Sequence, residues 1–358
     1  MNEELNKYFK NLDNMHYDFH ELDGYNKNFN FVVSPREPGK TTAMELFKIY
    51  IPFITKGETF IMLVDNATDI TPEYITSIEE RTNKFLINPI EITYKVTSLK
   101  TGIVDCYVDG KRYIRFISLN CPIVRIKKTT INNISYMGKD EFIKNPKFKE
   151  KYLPGEYDRF REIYNTYRRN KPNLKVYFLG NPYSMYNPYF VALNINTKKL
   201  IPGARIIGET FIVQLYVLKP ELVEYILKTN PLYKFDDSYK NYALNGVAVN
   251  DLNIPIEEKV YNHSLTYIFK FEDTYIGIWK NNLPFENDNI YWCNKITDFS
   301  SKRNVVCFNF DDMLEGTTLM TRDDKLRFSK LKYAMSQRKV TFESIEIYYM
   351  FIEIYYNL

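Results

Sequence analysis

The 358-residue sequence predicts an α/β chain, a domain with a mainly parallel sheet followed by a smaller α+β domain. Three observations carry this expectation. Short, continuous apolar runs such as Thr59-Phe60-Ile61-Met62-Leu63-Val64 and Lys175-Val176-Tyr177-Phe178-Leu179 suit strands buried on both faces. Up to about residue 223 such runs alternate with stretches of helical spacing. From residue 264 onward the texture changes to short strands and then two helices. The expected boundaries are 1–222 for the first domain, 223–255 for a polar, Asn/Asp-rich linker or lid, and 256–358 for the second domain.

Taken in order, the first two dozen residues are polar with scattered aromatics and read as a lead-in. Phe29, Phe31, Val32 and Val33 suit a buried strand, and residues 43–48 suit a helix that Pro52 should stop. A strand at 59–64 precedes a helix at 71–85, with Pro72 in its first turn and Ile75, Ile78 and Phe85 on one side. Asp109-Gly110 between alternating segments predicts a hairpin over 103–118. A basic turn at 123–128 leads to a strand near 134–137. Tyr157, Phe160, Ile163, Tyr164 and Tyr167 recur at helical spacing before a strand at 175–179. A helix is expected at 220–228, then strands at 265–271, 275–280, 289–293 and 305–308, and helices at 322–337 and 341–356.

The segment Asn30-Phe31-Val32-Val33-Ser34-Pro35-Arg36-Glu37-Pro38-Gly39-Lys40-Thr41-Thr42 runs from strand through tight loop into helix and ends Gly-Lys-Thr. That is the layout of a P-loop, in which backbone N–H groups and a lysine wrap a nucleotide's phosphates. Ser34, Arg36, Gly39, Lys40, Thr41 and Thr42 are its candidate nucleotide contacts. Lys40 would meet the β- and γ-phosphates of ATP, and the Thr41 hydroxyl would hold Mg²⁺. Two departures stand out: Ser34 occupies the place of the first glycine, and Pro38 removes one N–H from the phosphate nest. A P-loop requires acids at the end of another buried strand, and Asp140-Glu141 supplies them, with Asp140 for the metal and Glu141 for the attacking water. Gly138 and Lys139 interrupt the apolar run before them. Asn181, at the tip of the next strand, is placed to sense the γ-phosphate. Arg168 and Arg169 follow a helix, from which an arginine in a ring of subunits can reach a neighbour's nucleotide.

Bulk composition narrows the field without choosing a partner. Hydrophobic residues make up 45 % of the chain, ample for a packed core, and the net charge of +4 permits a polyanionic partner without requiring one. Cys106, Cys121, Cys293 and Cys307 lie far apart with no Cys-x-x-Cys pair, which argues against structural zinc and for a reducing compartment. His16 and His20 read as a solvated pair. With no leader and no apolar run near 18 residues, a soluble, intracellular protein with no membrane partner is expected.

The ordered set of motifs resembles the DNA-packaging ATPases, or encapsidation proteins, of small tailed phages of the phi-29 type, relatives of terminase large subunits. Residues 25–44 (YNKNFNFVVSPREPGKTTAM), 127–142 (KKTTINNISYMGKDEF), 177–190 (YFLGNPYSMYNPYF) and the pattern from Phe308 to Met335 carry the likeness, which covers nearly the whole chain. It implies a P-loop NTPase domain of the ASCE, terminase-like class and a ribonuclease-H-like C-terminal domain. It also implies a homo-oligomeric ring, a pentamer, that pumps double-stranded DNA into a capsid. The ring would work in the cytoplasm of the infected host, docked on the procapsid portal with a packaging RNA. By the same likeness Glu141 is the catalytic glutamate, Arg169 a trans-acting arginine finger and Lys127 a second basic residue acting between subunits. Asn181 falls at the motif coupling hydrolysis to movement.

In the second domain Glu272, Asp273, Asp311 and Asp312 sit in turns with no clear first-strand aspartate, so a degenerate nuclease that binds nucleic acid or the portal is expected. Arg322, Lys325, Arg327, Lys330, Lys332, Arg338 and Lys339 would meet phosphates without reading bases. The alternative function is a nucleotide-gated nucleic-acid-binding or scaffold protein with little turnover.

Overall fold

The computed structural model describes residues 5, 7–98, 102–145, 150–169, 171–184, 187–195, 202–231, 255–258, 260–271, 273–283, 289–299, 304–308, 313–320, 327–337 and 339–357. The chain divides into two compact units, Met1–Val249 and Asn250–Leu358. The stretch 232–254, most of the expected linker, lies outside the described residues. Among the described residues no helix is long and apolar enough to cross a membrane.

The first unit is built on a nine-stranded sheet. Its strands are β1 (Phe29–Val33), β2 (Thr59–Val64), β3 (Thr93–Ser98), β4 (Ile103–Val108), β5 (Lys111–Ser118), β6 (Ile134–Lys139), β7 (Lys175–Gly180), β8 (Arg205–Ile207) and β9 (Phe211–Leu215). Their order is β3-β4-β5-β2-β6-β7-β1-β9-β8. From β5 to β9 every pairing is parallel, and antiparallel strands extend both edges. The central order β9-β1-β7-β6-β2 puts one strand, β7, between the P-loop strand and the strand that ends at Asp140. That is the ASCE arrangement.

Alternate residues of each central strand feed two cores. Phe31, Val33, Ile61, Leu63, Val176 and Phe178 face one layer, where Phe160, Ile163 and Tyr167 of helix α6 (Glu156–Arg168) pack with Tyr189 and Phe190 of α7 (Pro188–Ala192). Phe31 stacks on Phe178 with ring centroids 4.5 Å apart. Val32, Phe60, Met62, Tyr177 and Leu179 face the other layer, against the helix that follows the P-loop and against α4 (Pro72–Asn83). Phe19 and Leu22, before and within α1 (His20–Gly24), close this layer.

The P-loop helix differs from expectation. It begins as α2 (Lys40–Ala43), continues as a π-helical stretch Met44–Tyr50, and runs on as α3 (Ile51–Lys56). Pro52 therefore does not end it. A proline clashes with the carbonyl four residues earlier and lacks an N–H to bond it. The wider π-turns just before Pro52 shift the pairing away from that geometry. Gly57, left-handed at φ 64°, stops the helix, with its N–H on the Phe53 carbonyl.

The hairpin at 103–118 forms as expected, Asp109 and Gly110 both taking positive φ. Residues 123–128 form a short helix, α5 (Ile123–Lys128), and α8 is Pro220–Thr229. Neither β8 nor β9 is among the expected strands; β9 is an apolar run that carries the signal, whereas three-residue β8 is too short to carry an alternation.

In the second unit β10 (His263–Phe271), β11 (Thr274–Asn281) and β12 (Tyr291–Ile296) form an antiparallel meander. The chain then returns to the far side of β10, adding β13 (Val305–Cys307) and β14 (Thr317–Leu319) in parallel. The order β14-β13-β10-β11-β12 is ribonuclease-H-like, and β15 (Val340–Phe342) pairs parallel to β12. The expected last helix starts later than its apolar spacing suggested. Val340, Thr341 and Phe342 are buried as β15, and α10 (Ile345–Asn357) follows, with the Ile347 N–H on the Ser344 hydroxyl. Of the helix expected at 322–337, α9 (Ser329–Ser336) is seen, and 321–326 lie outside the described residues. Glu272, Asp311 and Asp312 do too.

Of the two residues that break the apolar run of β6, Gly138 is explained by packing and Lys139 by its ion pair with Asp65. A Cβ on Gly138 would lie 2.5 Å from Phe60 Cζ and 2.9 Å from Met44 Sδ, so glycine is what lets the P-loop helix approach the sheet. Gly138→Ala should lower unfolding free energy by about 1–3 kcal/mol through overpacking. Urea denaturation checks this, and an unchanged midpoint would mean that Phe60 and Met44 move aside freely.

Candidate nucleotide site

The carboxyl ends of β1, β6 and β7 open onto a cavity of about 430 Å³, within the usual range for small-ligand pockets. Arg36, Gly39, Lys40, Thr41, Thr42, Asp140, Glu141 and Asn181 all line it, together with Glu37, Pro38 and Gly180. The loop between β1 and α2 gains its curvature from two left-handed residues, Glu37 at φ 81° and Gly39 at φ 75°. Gly39 is the N-cap of α2 and offers no side-chain cap, so the first N–H groups of the helix stay available to an anion. The lead-in braces this loop. The Tyr17 N–H donates to the Pro38 carbonyl at 2.9 Å, and His16 Cδ2 would lie 3.3 Å from a Cβ at Gly39.

Lys40 is the electrostatic centre. Its side chain is buried, and Nζ donates to Ser34 Oγ at 2.8 Å, the Pro35 carbonyl at 3.0 Å, the Ser34 carbonyl at 3.1 Å and Asn181 Oδ1 at 3.2 Å. All four acceptors are neutral. Burial pushes the ammonium down to about 8, Asp140 and Glu141 pull the other way, and Arg36 adds to the fall. Ser34, expected as a nucleotide contact, is fully buried and does not line the cavity; its hydroxyl holds Lys40 instead. A glycine there could not do this.

Thr41 Oγ1, in the first turn of α2, donates at 2.6 Å to Oδ2 of Asp140, just past the end of β6. These are hard oxygen donors of the kind Mg²⁺ takes. Among the described residues no group of three His, Cys, Asp or Glu forms a metal cage. A site with two protein oxygens fits an ion that arrives with phosphate and keeps its waters. Glu141 follows at φ 52°, its N–H on Asp140 Oδ1 at 2.9 Å. Burial and the Asp140 charge both raise the Glu141 carboxyl above the ordinary range. Arg36 donates to the Tyr183 hydroxyl at 2.8 Å, linking the P-loop to the segment after Asn181.

Sequence reasoning missed a buried pair behind the site. Glu45, one helical turn beyond Thr41, is 1 % exposed and is gripped by Arg81 of α4 through Nη2 at 2.6 Å. Burial lifts Glu45 to about 7, against the pull of Arg81, and Asp140 adds to the rise. A charged residue amid an apolar helix face was the available signal.

Lys127 and Arg169 do not line the cavity. Both are exposed, at the carboxyl ends of α5 and α6, helices that connect parallel strands and so return toward the strands' amino-terminal ends. Lys171, two residues past Arg169, pairs at 2.9 Å with Glu58 just before β2 begins. In the second unit Arg327 and Lys330 are exposed and Lys332 and Lys339 half-buried, while Arg322, Lys325 and Arg338 lie outside the described residues.

Comparison with known proteins finds relatives that match most of the chain. The DNA packaging protein of Bacillus phage phi29 is 24 % identical over 311 residues, 85 % of this chain and 86 % of that protein. The DNA packaging protein of Bacillus phage B103 is 25 % identical over 307 residues, covering 84 % and 88 %. In fold, the chain is similar to one in the bacteriophage Phi-29 viral genome packaging motor assembly, with a TM-score of 0.63 at 20 % identity over 96 % of this chain and 99 % of that one. A second likeness, to the Phi-28 gp11 DNA packaging motor, has a TM-score of 0.59 at 17 % identity, covering 94 % and 97 %. The family model described as Podovirus DNA encapsidation protein (Gp16) matches residues 12–357, and the chain belongs to that family.

Proposed function

We propose that this protein is an ATP hydrolase whose turnover drives double-stranded DNA into a phage procapsid, working as a ring of identical subunits. Genome packaging is the role of its family. The observation that carries the enzymatic reading is the convergence of Lys40, Thr41, Asp140, Glu141 and Asn181 on one cavity.

In this reading the N–H groups at the start of α2 and the Lys40 ammonium bind the β- and γ-phosphates, which replace the neutral oxygens now around Nζ. Thr41 and Asp140 would hold a Mg²⁺ ion arriving with the nucleotide, which would supply charge neutralisation at the phosphate oxygens. Glu141 accepts the proton of the water whose oxygen bonds the γ-phosphorus as the bond to the β–γ bridging oxygen breaks. Asn181, touching Lys40 from the tip of β7, senses whether the γ-phosphate is present. Its link onward is short: the Tyr183 N–H bonds the Asn181 carbonyl, and Tyr183 bonds Arg36.

Arg169 and Lys127, which are exposed and do not line their own cavity, serve a neighbour's site. The ring is a pentamer docked on the procapsid portal in the infected host's cytoplasm, with a packaging RNA as a further partner. The basic residues Arg322, Lys325, Arg327, Lys330, Lys332, Arg338 and Lys339 contact phosphate backbone.

The direct test is ATP hydrolysis with and without long double-stranded DNA. Stimulated turnover that vanishes in Lys40→Ala is expected, and turnover surviving that substitution would refute the assignment. Glu141→Gln should keep ATP binding while kcat falls about 10²–10⁴-fold; near-normal kcat would remove Glu141 from the chemistry.

Nucleotide affinity should depend on pH through Lys40. The ammonium is charged below about 8, so affinity is level there and declines as the proton is lost above it. On the acid side turnover should fall as Glu141 gains a proton, at a pH above the usual carboxylate range. Calorimetric titration across pH 6–10 reads the first effect, and a flat affinity would contradict it.

Arg169→Ala should cost about 10³–10⁵ in assembled rings. Mixing Arg169→Ala with Lys40→Ala subunits should restore part of the turnover, because each supplies what the other lacks. Absence of any restoration would place Arg169 outside trans catalysis.

A further inference from the structure

Lys139 immediately precedes Asp140 and is 1 % exposed at the end of β6, where an apolar residue was expected. Its Nζ pairs with Asp65 Oδ1, at the tip of the neighbouring strand β2. The other oxygen of the same carboxylate pairs with Nζ of Lys144. Two lysines five residues apart are therefore drawn to one carboxylate, and residues 140–143 between them must loop outward.

That loop is the acidic turn. At its far side the Phe142 N–H donates to the Leu179 carbonyl of β7 at 3.1 Å, and the Phe142 ring is fully buried. Lys144 Nζ also donates to the Glu141 carbonyl at 3.3 Å. The only residue of the turn at positive φ is Glu141, at 52°, a conformation that non-glycine residues adopt only where neighbours impose it. The left-handed backbone puts its side chain on the cavity wall.

The clamp is itself anchored. Asp65 takes the Ser118 hydroxyl on its carbonyl at 3.0 Å. Lys139 lies 3.7 Å from Glu156, which is buried and held by the Tyr189 hydroxyl at 2.8 Å and the Leu153 N–H at 3.0 Å. Two carboxylates and two ammonium groups balance, which is what allows them to stay charged out of water. The lysines hold the Asp65 carboxyl below its ordinary range, so it stays ionised in this network.

We propose that Asp65 is a positioning residue for hydrolysis, its carboxylate clamping Lys139 and Lys144 so that the turn between them presents Glu141 to the attacking water. The inference rests on the ATPase reading of the site. Asp65 and Lys144 do not line the cavity, so the clamp acts on turnover and not on nucleotide binding.

The test measures kcat and the dissociation constant of a fluorescent ATP analogue for Asp65→Asn, Asp65→Glu and Lys144→Met. Lys144 pairs with only one oxygen of Asp65, so Lys144→Met loosens the turn while leaving the Asp65–Lys139 and Lys139–Glu156 pairs in place if Asp65→Asn fails to fold. The expected result is a kcat loss of about 10- to 100-fold, the scale of a small misplacement of a reacting group, with nucleotide affinity within threefold. Asp65→Glu should recover part of the rate. In a Glu141→Gln background the same substitutions should cost nothing further, since there is no base left to misplace.

A folded Lys144→Met protein with unchanged kcat would overturn the clamp, as would an equal loss in the Glu141→Gln background. Wild-type turnover that Lys40→Ala fails to abolish would overturn the ATPase reading itself, and the clamp with it.

Discussion

The structure of the site depends on a buried ammonium group that, among the described residues, has no carboxylate in ion-pair contact with it. Lys40 Nζ sits among two carbonyls, a hydroxyl and an amide oxygen. Neutral dipoles can hold a buried charge in place, but they leave it under-compensated, and its lowered proton affinity expresses that. A polyphosphate is the natural complement. The same four contacts join the β1 loop to Asn181 at the tip of β7, so whatever takes Lys40 away from Asn181 is felt one strand over. Strand order makes this possible, because β7 pairs with β1 on one side and β6 on the other.

Around that centre, charges are distributed so that each acid has a different environment. Asp140 is tied to Thr41, Glu141 stands at the apex of a turn, and Glu45 is buried behind them against Arg81. The lysines flanking the acidic turn are directed to Asp65 and away from the acids beside them. The cavity therefore has Lys40 and Arg36 on its P-loop side and Asp140 and Glu141 after β6, with β7 between β1 and β6.

Much of this was legible in the sequence because it is local. Phe31, Val32 and Val33 mark a buried strand, Gly39-Lys40-Thr41 marks its loop, and Asp109-Gly110 fixes a hairpin; each signal is contained within a dozen residues. What was not legible depends on contacts across the chain. Lys139 reads as a flaw in β6 until Asp65, 74 residues earlier, is seen to pair with it. Ser34 reads as a missing glycine until its hydroxyl is found on Lys40. Pro52 reads as a stop because nothing local announces the π-turns that let the helix continue. Strands of three residues, such as β8, β14 and β15, are set by the ladder they join and not by their own pattern.

The central claim, that the neutral oxygens around Lys40 hold the place of a nucleotide's phosphates, is tested most directly by a structure with Mg²⁺ and a non-hydrolysable ATP analogue. The account predicts that Lys40 Nζ leaves Ser34 Oγ and Asn181 Oδ1 for phosphate oxygens, and that the Thr41–Asp140 hydrogen bond opens. A nucleotide bound with Lys40 still on Ser34 and Asn181, or bound away from the loop before α2, would contradict it.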